Sequence, residues 1–444
     1  MSRKRRATFI RLQMIIALAL LSAALAPHPA HAWTYKLVHD FCSDSCYDGK
    51  LPAGGLIADP AGNLYGATLL GGVEEAGTIF ELTYDSEKGV WGEKVLYNFC
   101  AECDEGGGPR GRLVLDMAGN LYGTTPGGGT RGDGTVFRLS PNGSGKRWSL
   151  TRLYDFCTHD SSCPDGKNPD GALTYAGQDS GELYDGVSPL FGTTGFGGKG
   201  HAGTVFSLTP IAHKWSFDLL YTFCRDSGCK NGSSPEGLLA EENGDLIVAA
   251  ERGGTLDGGA ILALPAIGGK RERGATALYR FCHRNLCRDG AHPIGIARDA
   301  ADNLFGSTYE GGTKIKRSRC RDGCGTLYQL APDGTRTQLY NFCSEKFCAD
   351  GAFPDGALTV NAAGSLFGLT QAGGNTAIRQ LGYGTAFEFT GGTLTTLYKF
   401  CSLSNCTDGA SPQGPLVMDA SGNLFGETVG GGAHNGGTVF ELSP

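Results

Sequence analysis

Sixteen cysteines stand in eight close pairs: Cys42/Cys46, Cys100/Cys103, Cys157/Cys163, Cys224/Cys229, Cys282/Cys287, Cys320/Cys324, Cys343/Cys348 and Cys401/Cys406. Pairs of this kind can form disulfides, run thiol redox chemistry or ligate a metal. Cys100-Ala-Glu-Cys103 has a dithiol spacing but lacks the βαβ context that lowers a thiol pKa. Zinc wants four ligands per site, so neighbouring units would have to share theirs. No Cys-x-x-Cys-His occurs, which leaves covalent haem unsupported, and no cofactor is expected. In an exported chain, an even count in close pairs reads as disulfides closed within short loops. Each such loop contributes about 2 kcal/mol in the chain-entropy model, enough to stiffen a loop rather than hold a fold shut.

After the second cysteine an Asp-Gly step recurs, at Asp48, Asp165, Asp289, Asp350 and Asp408. A turn explains it. A ring of side-chain oxygens taking calcium or a polar ligand is the sharper alternative, weakened by the missing Asp-x-Asp-x-Asp spacing. The other candidate contact is the one basic stretch of an acidic chain, with Lys316, Arg317 and Arg319, which would suit an acidic partner. No nucleophile elbow, His-Glu-x-x-His helix or carboxylate pair in a distinctive context is present, and the histidines keep no fixed repeat position.

The elements that position these groups follow from a repeat. An aromatic-Cys step returns at Phe41, Phe99, Phe156, Phe223, Phe281, Phe342 and Phe400, with spacings of 58, 57, 67, 58, 61 and 58 residues. Each unit continues through Pro-x-Gly, an apolar segment, a Gly-Asn-Leu-aromatic-Gly segment, Gly-Gly and Gly-Thr-Val-Phe, with turn residues between. In the second unit this predicts four strands: a over Arg112 to Asp116, b over Asn120 to Thr125, c over Gly134 to Leu139 and d over Trp148 to Phe156. Seven four-strand units without helix patterns predict an all-β fold, a seven-bladed β-propeller of antiparallel strands. The chain opens with a lone d strand, Trp33 to Phe41, and stops after a c strand, so pairing the two is expected to close the ring. The fourth unit is degenerate, with Ile247 to Ala250 in place of Tyr-Gly-x-Thr. The third carries an insertion near Gly177 to Ser188, and the aromatics Tyr65, Tyr122, Phe191, Phe305, Phe367 and Phe425 are expected to be inter-blade core.

Residues 1–32 have a basic start, an apolar run from Met14 to Ala26 and Ala30-His31-Ala32 before Trp33, the layout of a cleaved secretory signal. One propeller domain, 33–444, would remain. The apolar run is too short to span a hydrocarbon core of about 30 Å. Five basic residues leave with the signal, taking the formal charge from −7 to −12, which argues against nucleic-acid partners.

Gly62 to Thr68, Gly119 to Thr125 and Gly422 to Thr428, each followed by Gly-Gly and Gly-Thr-Val/Ile-Phe, resemble the GloVer tandem-repeat family of exported bacterial proteins. The resemblance covers nearly all of 33–444. It implies export and a propeller-like architecture, but no reaction. Members of that family often carry a C-terminal surface anchor; ending at Pro444 departs from this and favours a free periplasmic or secreted monomer. The expected function is a binding or scaffold propeller for an envelope, polysaccharide or protein ligand, placed on the face of the d-to-a and b-to-c loops. A lyase or hydrolase acting on a carbohydrate or small molecule in the central channel is the alternative, and a structural envelope component a third.

Overall fold

The computed structural model describes residues 33–444 apart from 44, 101–103, 144, 146, 159, 213, 226–227, 266–273, 284, 314–319 and 375–380. The expected signal, residues 1–32, lies outside the described residues. Seven antiparallel sheets form the blades of an all-β propeller. In the fourth blade strands a to d are Ser233–Ala240, Leu246–Arg252, Ala260–Leu264 and Thr276–Arg280. The first strand, Thr34–Asp40, lies antiparallel to the last, Thr438–Ser443, so the seventh sheet combines the two ends of the chain. No α-helix occurs among the described residues, and no helix there is long and apolar enough to cross a membrane.

Two side-chain pairings recur because strands b and c face each other in a fixed register. The c-strand ring, such as Phe80 or Phe387, stands edge-on to the Phe ending strand d of the preceding blade at 4.9–5.3 Å between centroids, at six of the blade junctions. That ring lies over the b-strand glycine: a Cβ on Gly66 would come 2.4 Å from Cζ of Phe80. Small size is needed there. Next along, a buried Thr pair joins b to c, its hydroxyls 2.8–2.9 Å apart, as in Thr68 and Thr78.

The fourth blade breaks both rules in step. Val248 replaces the glycine while its partner Leu262 replaces the ring, and the facing pair Ala250 and Ala260 replaces the two threonines. Removing both members of a hydrogen-bonded pair leaves no orphaned hydroxyl. The degenerate unit is therefore compensated.

The aromatic b-strand position is inter-blade core. Tyr122 of the second blade joins a cluster with Phe206 and Leu208 of the third, and Phe425 of the seventh packs with Leu64 and Phe80 of the first. In the third-blade insertion, Tyr184 is wholly buried against Tyr122 and Tyr175, and its backbone bonds to Leu115 and Met117. Further along, Asp179 reaches Arg298 of the fifth blade at 3.2 Å. The insertion thus links the second blade to the fifth on the face of the a-to-b turns.

Candidate functional site

Each inner strand is entered through Pro-x-Gly, and in the seven copies only the middle residue changes: Ala53, Arg110, Asp170, Glu236, Ile294, Asp355 and Gln413. The glycines let adjacent inner strands touch. A Cβ on Gly111 would stand 2.7 Å from the carbonyl oxygen of Gly171, one on Gly356 2.4 Å from Gly414, and one on Gly414 3.1 Å from Gly55. Contacts of this kind step from each blade to the next and return from the seventh to the first. The variable residues therefore ring the axis.

Their electrostatics show that they face one another. Burial pushes the Glu236 carboxyl up to about 8, and Asp170, Glu251 and Asp355 add to the rise while Arg110 opposes it. Asp355 is pushed up to about 6, again first by burial, with Arg110 acting against and Glu251 adding. Asp170 is raised by burial and drawn down by Arg110. These groups belong to the second, third, fourth and sixth blades. Only side chains converging on the axis can act across that many blades.

A second tier comes from the strand b ends and the residues preceding each Pro. Tyr309 donates its hydroxyl to Oε1 of Gln371 at 2.7 Å and stacks on Phe353 at 5.0 Å. His292 stands between two carboxylates, with Nδ1 3.7 Å from Oε1 of Glu251 and Nε2 3.8 Å from Oε2 of Glu310. Acid, base and ring are gathered on blades two to six, whereas the first and seventh contribute Ala53 and Gln413. The result is a polar cradle around most of the axis with excess negative charge, able to hold a small cationic or polyhydroxylated molecule. It lies at the axial end nearest the d-to-a loops, since Pro is the third residue of strands such as Ser233–Ala240.

The repeated Asp-Gly carboxylates lie elsewhere, inside the cysteine loops. Asp350 accepts the Tyr340 hydroxyl at 2.8 Å and the Ser344 N–H at 2.8 Å through Oδ2. Asp408 does the same with Tyr398 and Ser402, Asp165 with Tyr154 and Cys157, and Asp289 with Tyr279 and His283. At Asp48 a histidine, His39, takes the tyrosine's place at 3.3 Å. Asp350 and Asp408 are fully buried. Each carboxylate ties its loop to strand d. Tyr340→Phe is accordingly expected to cost about 1.5–3 kcal/mol, as for a lost bond to a charged group; an unchanged urea midpoint would contradict this role.

Seven disulfides close within their loops, joining Cys42 to Cys46, Cys157 to Cys163, Cys224 to Cys229, Cys282 to Cys287, Cys320 to Cys324, Cys343 to Cys348 and Cys401 to Cys406. Cys100 is also disulfide-bonded. Cys103 lies outside the described residues, as do Lys316, Arg317 and Arg319.

Cys46, Cys229, Cys287 and Cys406 form the disulfides expected of them and also carry a second role through the backbone. They are only half-buried, and none belongs to a group of potential metal ligands among the described residues. All four take the left-handed backbone conformation, with φ of 58° at Cys46, 47° at Cys229, 52° at Cys287 and 54° at Cys406. Each carbonyl accepts two glycine N–H groups at 2.8–3.0 Å. The donors are Gly49 and Gly72 at Cys46, Gly232 and Gly254 at Cys229, Gly290 and Gly312 at Cys287, and Gly409 and Gly432 at Cys406. The physical reason is that the d-to-a loop must turn back and hold the Gly-Gly loop that follows it. A carbonyl, with two lone pairs, can take both donors, whereas a sulfur accepts weakly. These four cysteines are therefore backbone anchors as well as disulfide partners.

The axial residues are absent from the sequence-based candidates. A search for carboxylates in a distinctive context misses them, because Pro-x-Gly surrounds all seven positions alike; the usable signal is variability inside a constant tripeptide.

Residues 28–262 and 270–444 match the model of the Gloeobacter/Verrucomicrobia repeat. No curated protein matches. Among solved structures, the chain is similar to the extracellular domain of a candidate one-component system from B. thetaiotaomicron, with TM-score 0.53 and 10% identity over 92% of this chain and 39% of that one. It is also similar to a gluconolactonase from Xanthomonas campestris, with TM-score 0.41 and 14% identity over 77% and 89% of the two chains. A PQQ-bound aldose sugar dehydrogenase from Streptomyces coelicolor gives 0.42 and 12% over 94% and 99%. At such identities a likeness speaks for the fold alone.

Proposed function

The chain belongs to the Gloeobacter/Verrucomicrobia repeat family, and from that premise we propose that it is a binding propeller of the periplasm or the cell exterior, with its ligand held in the axial cradle. Seven intra-loop disulfides support an oxidising compartment. The observation that carries the reading is the axial position itself. An otherwise constant Pro-x-Gly varies there, and the variants, with Glu251, gather four carboxyls and one guanidinium around the axis. Crowded, desolvated carboxyls favour a ligand that brings positive charge. A small amine-bearing molecule fits best.

Calorimetry with putrescine against 1,4-butanediol, equal in length and different in charge, tests this. The diamine is expected to bind and the diol to fail. Binding should tighten as pH rises from about 5 to about 8, because a cation favours the ionised forms of Asp355 and Glu236. The double variant Glu236→Gln/Asp355→Asn should weaken it about tenfold or more. Equal affinity for the diol, or indifference to the double variant, would reject the site.

A propeller hydrolase or lyase using the same channel is the second reading. It is favoured by Glu236 and Asp355 standing at about 8 and about 6, so that near neutrality one carboxyl keeps its proton while the other gives it up. Turnover of a bound carbohydrate, abolished in Glu236→Gln with binding retained, would replace the binding reading by this one.

A further inference from the structure

The fifth blade has a feature that no other described blade shares. Cys320, Cys324, Cys343 and Cys348 are all buried, and their four sulfurs lie within 4.8 Å of one another. Cys320 and Cys324 come from the b-to-c loop, Cys343 and Cys348 from the d-to-a loop, and the four share one core cluster.

The repeat geometry explains why they meet. The residue two positions before the first residue of strand c abuts the cysteine loop of its own blade. In the fourth blade it is Gly258, whose Cβ would come 2.4 Å from Cβ of Cys282, and in the seventh Gly436, 2.6 Å from Cβ of Cys42. In the second it is Asp133, grouped with Cys157 and Cys163. In the fifth that position is Cys324, and Cys320 adds the fourth sulfur. The backbone fixes both arms: the Phe353 N–H bonds to the Cys324 carbonyl at 2.8 Å, and the Gly374 N–H to the Cys348 carbonyl at 2.9 Å.

We propose that this quartet is a tetrahedral thiolate site for a soft divalent cation of the zinc class, and that the two disulfides, Cys320 to Cys324 and Cys343 to Cys348, are its oxidised form. Four thiolates about 2.3 Å from a central ion stand roughly 3.8 Å apart, so on reduction each bonded pair must open to that spacing while the sulfurs of the two loops, already within 4.8 Å, stay in place or close in. The order Cys-x3-Cys, 18 residues, Cys-x4-Cys matches the two-armed pattern of structural zinc sites. All four ligands belong to one unit, whereas the sequence suggested that neighbouring units would have to share theirs. In converting the oxidised form, each disulfide takes two electrons and two protons from a dithiol reductant, which becomes a disulfide. The four thiols then release four protons as they bind the ion. The site is independent of the axial cradle, and its failure would leave that reading untouched.

Full-length chain purified under a dithiol reductant with added zinc, then freed of excess metal, should retain about one equivalent by native mass spectrometry. Cobalt should give the intense visible bands of a tetrahedral thiolate complex. Cys320→Ser/Cys324→Ser should lose the metal, and Cys282→Ser/Cys287→Ser should keep it. A second measurement covers a reduced chain that fails to fold: intact protein treated with dithiol and zinc is pulse-alkylated. Protection of these four thiols alone supports the site. Equal metal content in wild type and the Cys320/Cys324 variant, or uniform alkylation of all cysteines, overturns it.

Discussion

A chain lacking residues 33–41 is expected to lose its cooperative melting transition and to aggregate or be cleaved. That segment joins three blades. Its strand runs beside the last one from Thr34 opposite Ser443 to Asp40 opposite Thr438. Tyr35 stacks on Tyr398 at 4.5 Å and donates its hydroxyl to the Asp408 carbonyl at 3.1 Å. Phe41 is fully buried, bonds through its N–H to the Gly437 carbonyl, and sets its ring edge-on to Phe80 of the first blade. Deletion strips a buried aromatic worth about 1.5–3 kcal/mol. It also bares the whole edge of Thr438–Ser443, an unpaired row of donors and acceptors that invites another chain. Supplying the residues as a separate peptide should restore part of the transition. Size-exclusion chromatography and thermal melting decide it: a monomeric deletion with unchanged melting would show that the ring stays shut without this pairing.

The blades were legible in the sequence because their constraints are local. The Phe-Cys step, the Gly-Asn-Leu-aromatic-Gly segment and the Gly-Thr-Val-Phe segment each serve one strand, and strand spacing follows from their order. Pair constraints across strands were harder to see. Val248 and Ala250 read as decay until register sets them opposite Leu262 and Ala260. Asp350 and Asp408 read mainly as turn residues, and their second task shows only when the tyrosine two residues before the Phe-Cys phenylalanine is seen to donate to each. Cys46 and Cys406 read as sulfurs only, because the glycines that bond to their carbonyls lie up to 26 positions away, across the blade's inner strands. The axial set needed the ring itself, since Arg110 and Asp355 lie 245 positions apart and come within electrostatic reach only through closure. The cysteine quartet likewise needed two loops of one blade to fold onto each other.

The seam between the seventh and first blades carries the other large expected effect, a loss of stability with rising pH that Glu427→Gln should reduce. Glu427 occupies the strand b position where Thr124 of the second blade donates to the Gly171 carbonyl of the third. Here the seam holds a wholly buried carboxyl instead. Its Oε2 accepts the Gly55 N–H of the first blade at 2.8 Å, and Oε1 has no hydrogen-bond partner among the described residues. Burial pushes its pKa up to about 8 from an ordinary 4.5, with the Gly55 bond pulling slightly the other way. Between those two values the folded chain holds a proton that the unfolded chain has released. Stability therefore is full below about 4.5 and falls as pH rises towards about 8, by at most ~1.4 kcal/mol per pH unit for this one group, then levels off. Glu236 and Asp355 add slopes of the same sign at the axis, so wild-type melting should drop steadily from mildly acidic to mildly alkaline buffer. Glu427→Gln keeps an oxygen for Gly55 and removes the titration. The variant should melt near wild type at about pH 5 and above it at about pH 8.5, whereas Glu236→Gln should change the axial slope and leave the seam's contribution in place. Parallel melting curves for wild type and Glu427→Gln across that range would mean that the seam carboxyl does not titrate in the folded ring.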